Sequence, residues 1–211
     1  MIVQILCDNA SSWIVPYANQ LLDLIKKQGN ACRLIHDPKQ VEKGDILLLL
    51  SCEQIFKNLH LNKYNLVVHE SALPYGKGWS PLTWQVLEGK TEIPITLFEA
   101  AESVDSGLIY FSGHIELEGT ELVEDLRKKQ GEKTIELILQ FLSAYPNIKG
   151  KEQTGVSTFY PKRGPKDSEL DIHKSIADEF NLLRVCDNEK YPAFFYHKGK
   201  KYKIKIEHYE Q

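Results

Sequence analysis

The chain has no hydrophobic run long enough to cross a bilayer. Its longest purely apolar stretch is Ile46–Leu50, whereas a transmembrane helix needs about 20 residues. The first residues, Met1–Leu6, lack a basic region and a long apolar segment. We therefore expect neither an export signal nor a membrane anchor, and a cytoplasmic location.

Cysteine is scarce as well. The four cysteines are scattered, with no C-x-x-C pair and no histidine at a matching spacing: Cys7, Cys32, Cys52 and Cys186. This pattern predicts neither a metal site nor a disulfide framework, and it is typical of reduced thiols in a cytosol.

There is no excess of positive charge. Lys and Arg total 26 against 29 for Asp and Glu, which gives a formal charge of −3. Because nucleic-acid binding needs a basic surface to neutralise phosphates, we expect no nucleic-acid partner. The hydrophobic fraction of 42% is that of an ordinary globular protein.

The first 110 residues alternate apolar runs with amphipathic stretches, which predicts an α/β fold with a Rossmann-like, doubly wound and mostly parallel sheet. The predicted strands are 1–7, 31–35, 46–50, 65–69, 93–98 and 108–112, and the predicted helices are 13–28 and 120–142. Since ligands collect beyond the carboxyl ends of parallel strands, the loops at 8–12, 51–54 and 69–80 should share the functional edge.

We predict a first domain over residues 1–143. Residues 144–168 carry Tyr-Pro and Gly-Pro segments with little apolar periodicity, which indicates an extended linker. Residues 169–211 are predicted as a small appendage, with a helix over 170–183 and a β-hairpin built from strands 193–197 and 202–207.

The most informative segment runs from His69 to Pro81. A histidine that closes a parallel strand lies at the functional edge, where its ring can exchange protons near neutral pH; a purely structural histidine is the alternative. Gly76 and Gly78 flank Lys77, and Ser80-Pro81 is a helix start with unpaired amides. This turn suits an anion, although many such loops look alike.

A second segment, Glu99–Gly107, ends in Asp105-Ser106-Gly107, which is first of all a turn signal. Because the preceding strand belongs to the same sheet as His69, Asp105 could also reach the imidazole, fix its tautomer and stabilise its charged form.

Together these motifs resemble a known family. H-x-S-x-L-P at residues 69–74, a glycine-containing loop with proline, a strand, and then V-D-S-G at 104–107 are similar to the formyltransferases that use 10-formyltetrahydrofolate. The tail segments 183–188 and 191–195, and W-S-P at 79–81, resemble the sugar N-formyltransferases that act on nucleotide-linked 4-amino sugars, including those of the pseudaminic-acid type.

The resemblance implies that an amine attacks the formyl carbon of the folate. His69 and Asp105 match two of the three catalytic side chains of the family, but Val67 occupies the position of the third, an asparagine two residues before the histidine. Valine cannot donate a hydrogen bond to an oxyanion. Asn9 is our candidate replacement, with protonated His69 acting alone as the other possibility.

The resemblance also implies the ligand contacts. The folate would lie between Leu50, Ser51, Cys52, Glu53, Gln54 and Ile55 on one side and Glu99, Ala100, Ala101, Glu102, Ser103 and Val104 on the other. The substrate candidates are Ser71, Tyr75, Gly76, Lys77, Gly78, Trp79, Ser80 and Arg184, with Lys77 and the amides near Trp79 and Ser80 on a diphosphate. For Arg184, an ion pair with Asp187 or Glu179 is the alternative.

The predicted reaction is formyl transfer to a UDP- or dTDP-linked amino sugar. A methionyl-tRNA formyltransferase shares the donor and the motif order, but we expect it to need a longer, basic appendage. A catalytically silent folate-binding module is the third reading. The lysines of the hairpin (198, 200, 201, 203 and 205) could hold a nucleotide or RNA, but they are more typical of an edge strand that resists aggregation. The hairpin edge leaves a homodimer open.

Overall fold

A computed structural model describes residues 1–209, and only the end of the predicted tail, Glu210 and Gln211, lies outside them. Its main feature is a six-stranded sheet of order β2-β1-β3-β4-β6-β7. The first four strands are parallel, and β6 and β7 are each antiparallel to the strand before them. The predicted Rossmann-like α/β class is confirmed. The strands of this sheet are β1 (Ile2–Leu6), β2 (Ala31–Ile35), β3 (Gly44–Leu49), β4 (Asn62–His69), β6 (Glu92–Glu99) and β7 (Ile109–Glu116).

Three helices pack on one face of this sheet. They are α1 (Val15–Lys27), α2 (Pro81–Leu87) and α3 (Val123–Ala144), and their buried side chains join those of the strands in one large core. In α1 the buried residues Ala18, Leu21 and Ile25 recur at helical spacing, which explains why the sequence pattern finds this helix.

The opposite face carries a smaller apolar cluster. Its buried members come from the strand ends and the loop after β2, and the partly buried Cys52, Phe56 and Ala100 pack against them. The buried residues are Leu6, Ile35, Val41, Leu47 and Leu49. On this face the sheet is therefore covered by the loops that follow β3 and β6.

The segment predicted as a linker takes part in a second, two-stranded sheet. Its strand β8 (Phe159–Tyr160) pairs in parallel with β5 (Lys77–Gly78), which lies in the loop after His69. Two-residue strands leave no alternation in the sequence, so the prediction of an extended linker does not include this contact.

Several boundaries in the C-terminal part differ from the prediction. Helix α4 (Ile176–Arg184) begins six residues later than predicted, because Leu170 donates its N–H to Phe194 and Ser175 caps the helix at the N–H of Asp178. Ile176, the first residue of this helix, is 75% exposed.

The hairpin strands are β9 (Ala193–His197) and β10 (Lys200–Ile204). The second strand begins earlier than predicted because Lys198 and Gly199 alone form the turn, both with positive φ. No helix in residues 1–209 is long and apolar enough to span a membrane.

Candidate active site

The site is built around His69, the last residue of β4. Its side chain is 9% exposed. The neighbouring strand β3 is parallel and pairs Leu49 with Val67, so the chain that leaves β3 at Leu50 runs beside the end of β4. The loop after β1 meets the loop after β3, since Asp8 accepts the backbone N–H groups of Glu53 and Gln54.

One nitrogen of the His69 ring is already engaged. Nε2 lies 2.9 Å from the carbonyl oxygen of Gly76. Because a carbonyl only accepts, Nε2 must carry the hydrogen. The neutral ring is then the Nε2–H tautomer, and within residues 1–209 no hydrogen bond reaches Nδ1. The lone pair that can take a proton is therefore on Nδ1.

Asp105 meets the same nitrogen. Its Oδ2 lies 3.7 Å from His69 Nε2, and both side chains are largely buried, at 9% and 12% exposure. The backbone N–H of Gly78 donates to that oxygen at 2.9 Å. The structure thus brings together the two side chains that the sequence paired, along with the glycine loop.

This contact requires the loop after β6 to fold back. Because β6 is antiparallel to β4, Glu99 pairs with Leu66, three residues before His69, a separation of about 10 Å along a strand. The loop returns across the sheet face, and Asp105 adopts a left-handed conformation with φ of 51°. A Cβ at Gly107 would overlap the carbonyl oxygen of Glu99, so only glycine fits where the loop closes.

Backbone strain is concentrated at this edge. Three of the four non-glycine residues with positive φ within residues 1–209 are Ser51, Ser80 and Asp105, one in each loop around His69. Such conformations cost of the order of 1–3 kcal/mol each and persist where the surrounding structure holds them, as at ligand sites.

The two segments predicted to hold folate converge on the smaller apolar cluster. Cys52 from one segment and Ala100 from the other pack on the same strand ends. Burial raises the pKa of Cys52 to about 12, so its thiol stays neutral where it packs on this cluster. Ile55 and Val104 remain 69% and 51% exposed, apolar surface that a ligand can cover.

Glu99 holds the start of the second predicted folate segment, residues 99–104, in place. Its carboxylate accepts the N–H of Asn65 at 2.6 Å and the hydroxyl of Tyr110 at 3.1 Å. Burial raises the pKa of Glu99. Glu99 therefore anchors the loop through its side chain, and Ala100 donates its N–H to Asn65.

Part of the loop predicted to bind a diphosphate is already hydrogen-bonded within the chain. The N–H groups of Lys77 and Trp79 donate to Thr158 and Tyr160, and that of Gly78 donates to Asp105. Helix α2 has only seven residues and no side-chain cap at Ser80. The N–H groups of Lys77, Gly78 and Trp79 are thus satisfied within the chain, whereas the first N–H groups of α2 have no side-chain cap. The diphosphate contact at this helix start stays a prediction.

Several polar and aromatic side chains lie in the same loop. Lys77 is 7% exposed, and no acidic residue within residues 1–209 forms an ion pair with it. The buried hydroxyl of Ser71 has no hydrogen-bond partner among these residues. Tyr75 and Trp79 are 51% and 42% exposed, and Nζ of Lys162 lies 4.4 Å from the Trp79 ring centre.

Two predicted site residues, Arg184 and Asn9, form hydrogen bonds or ion pairs with residues other than His69 and Asp105. Arg184 is 2% exposed and pairs with Glu121, not with Asp187 or Glu179. The amide of Asn9 donates to Glu53 at 2.7 Å, and its oxygen accepts from Ser11. Arg184 thus stabilises the packing of α4 on the main unit, and the structure gives Asn9 partners other than His69.

Sequence reasoning missed two groups near His69. Glu70 is buried, and that burial raises the pKa of its carboxyl. Gln153 donates to the carbonyl oxygens of Asp105 and Gly107, at 2.9 Å each. Gln153 lies 48 residues beyond Asp105 in a stretch without periodicity, so nothing in the local sequence indicates the contact.

Solved structures of other proteins share the fold of this chain. No family model matches the chain. In three dimensions it has the formyltransferase fold, which confirms the predicted resemblance at the level of fold.

The similar structures include a methionyl-tRNA formyltransferase from Clostridium thermocellum, with a TM-score of 0.84 and 17% identity over 100% of this chain and 94% of that one. A 4-N formyltransferase from Francisella tularensis gives a TM-score of 0.76 and 17% identity over 99% and 98%. HypX from Aquifex aeolicus, in complex with tetrahydrofolic acid, gives 0.78 and 15% over 95% of this chain and 36% of HypX.

The solved chain of the Clostridium thermocellum protein is similar in length to this chain, which covers 94% of it. Chain length does not separate a sugar acceptor from a tRNA acceptor.

Proposed function

We propose that this protein is an N-formyltransferase that moves the formyl group of 10-formyltetrahydrofolate to the amine of a nucleotide-linked amino sugar. The observation that carries the proposal is the buried His69–Asp105 pair at the edge of a formyltransferase-fold sheet, 3.7 Å apart. A catalytically silent scaffold has no need to hold two ionisable groups in this arrangement.

The donor site suits a flat, partly polar ring. Cys52, Phe56 and Ala100 provide an apolar wall between the two predicted folate segments, and the backbone of both segments provides donors and acceptors. This mixture of apolar lining and a few fixed polar groups is typical of small-molecule sites. We assign residues 50–55 and 99–104 to the folate.

The folate supplies a formyl carbon bonded to nitrogen N10. In the net reaction the acceptor amine forms a bond to that carbon, the bond to N10 breaks, the amine loses a proton and N10 gains one. The protein must therefore move a proton and stabilise negative charge on the formyl oxygen.

His69 performs the proton transfer through Nδ1. Its Nε2–H is held by Gly76, so Nδ1 is the atom that can accept a proton from the amine and return it to the leaving nitrogen. Such acid–base catalysis contributes about 10²–10⁴-fold.

Asp105 stabilises the imidazolium that forms. At 3.7 Å and an effective dielectric constant of about 20, opposite unit charges attract by about 4 kcal/mol. Gly78 donates to the same carboxylate and so fixes its direction. Asp105 acts by holding the charge and orientation of His69.

The protonated ring of His69 also stabilises the negative charge that develops on the formyl oxygen. Val67 offers no donor, and the Asn9 amide is held by Glu53. Protonated His69 carries a second N–H at Nδ1, which can donate to the formyl oxygen. Asn9 remains the alternative donor and can be tested by substitution.

The acceptor side suits a nucleotide. Tyr75 and Trp79 expose aromatic rings beside the loop, and Lys77 lacks an acidic partner within residues 1–209. Aromatic rings that can stack on a base, together with a free cation for a diphosphate, match a nucleotide-linked sugar. The net charge of −3 disfavours a large RNA.

The test is an acceptor panel. The protein is incubated with 10-formyltetrahydrofolate and UDP- or dTDP-linked 4-amino sugars, or methionyl-tRNA, and products are examined for the mass of one formyl group. We expect transfer to at least one sugar. Transfer to tRNA alone would overturn the acceptor assignment, and transfer to no acceptor would favour a binding module.

A further inference from the structure

A single stretch of chain, residues 151–160, contacts both loops that carry the site. At one end Lys151 exchanges backbone hydrogen bonds with Ile109, just beyond the Asp105 loop. At the other end β8 pairs with β5, in the loop after His69. We call residues 151–160 the bridging segment.

Gln153 holds the loop of Asp105. Its side-chain amide donates to the carbonyl oxygens of Asp105 and Gly107, both at 2.9 Å. These two carbonyls flank the turn at Ser106, so one side chain fixes both sides of the turn. With the turn fixed, the left-handed backbone of Asp105 directs its carboxylate toward His69.

Thr158 holds the loop of His69. Its hydroxyl accepts the N–H of Gly76 at 2.8 Å, and its backbone bonds to Pro74 and Lys77. Gly76 in turn provides the carbonyl that accepts from His69 Nε2. Thr158 therefore acts on His69 through one intervening residue, at the atom that sets the tautomer.

We propose that Gln153 and Thr158 are positioning residues that set the His69–Asp105 geometry from a segment outside the predicted site. Neither contacts the imidazole directly. The expected effect on turnover rests on the proposed function, whereas the effect on the His69 ring does not.

The tautomer of His69 gives a readout independent of activity. Long-range ¹H–¹⁵N spectra, assigned with a His69→Gln variant, show which nitrogen carries the proton. We expect Nε2–H in the parent protein, a mixture of tautomers in Thr158→Val, and the parent pattern in Thr158→Ser, which keeps the hydroxyl. Thr154→Val, an exposed position in the same segment, is the matched control and should change nothing.

Steady-state kinetics test the positioning role of Gln153. Gln153→Leu removes both donated bonds, and we expect kcat to fall by about tenfold or more with KM for the folate changed less than twofold, because misplaced catalytic groups slow chemistry more than binding. Gln140→Leu, on the exposed surface of α3, should match the parent. Melting temperatures identify any variant that has lost its fold.

The outcomes separate the two proposals. If the parent protein formylates no acceptor, the proposed function fails, and the His69 tautomer alone decides the positioning role. If folded Thr158→Val keeps the parent tautomer and folded Gln153→Leu keeps the parent kcat, the positioning role is wrong while the proposed function stands.

Discussion

Replacing Val67 with asparagine should raise the rate of formyl transfer. Val67 lies two residues before His69 on β4, so the two side chains point to the same face of the sheet. In the formyltransferase family that this sequence resembles, the residue at this position is an asparagine, whose side-chain amide can donate a hydrogen bond. Val67 is only partly buried and packs beside the smaller apolar cluster, which leaves room for a side chain of similar volume.

The magnitude follows from one hydrogen bond to the oxyanion. A positioned donor is worth about 3 kcal/mol in the transition state, or about a hundredfold in kcat. Exchanging a partly buried valine for a polar side chain should cost about 1–2 kcal/mol of folding free energy. The variant should thus be faster and less stable than the parent.

The assay is steady-state formyl transfer, with urea denaturation in parallel. Val68→Asn is the matched control, because Val68 packs into the large core on the opposite face, and it should lose stability without gaining rate. A folded Val67→Asn protein with unchanged or lower kcat would refute the reasoning that this position lacks a needed donor.

Three further predictions concern single residues. Asp105→Asn should lower kcat by about 10²–10⁴-fold with little change in KM for the folate; normal steady-state turnover would reduce Asp105 to a turn residue. Asn9→Ala should leave kcat within about twofold, since Glu53 already holds its amide, whereas a loss near a hundredfold would make Asn9 the oxyanion donor. Glu121→Gln should lower the free energy of unfolding at pH 7 by about 3 kcal/mol, because backbone N–H groups and Lys129 lower the pKa of Glu121 from 4.5 to about 2 in the folded protein. That stabilisation is present above pH 4.5 and is lost as the pH falls toward 2, so urea curves of the two proteins should converge there; equal stability at pH 7 would contradict it.

Strands buried on both faces were the most predictable part of the molecule. β3 is a continuous aliphatic run because it lies between two parallel neighbours. The place of His69 followed from the same reasoning, since a strand end in such a sheet lies at the ligand edge.

Contacts between distant segments could not be predicted. The pairing of Lys77 with Phe159 joins two-residue strands 82 positions apart, and no periodicity indicates it. The partner of Arg184 was missed for the same reason, because Glu121 lies 63 residues away. The start of α4 was misplaced because a tertiary bond from Leu170 to Phe194 overrides a helical pattern.

The central claim is that His69, oriented by Asp105, transfers the proton during formyl transfer from a folate held by the loops after β3 and β6. A crystal structure with bound tetrahydrofolate tests it most directly. We predict N10 within hydrogen-bonding reach of His69 Nδ1 and the pterin between residues 50–55 and 99–104. Folate bound elsewhere, or His69 and Asp105 separated in the complex, would contradict the claim.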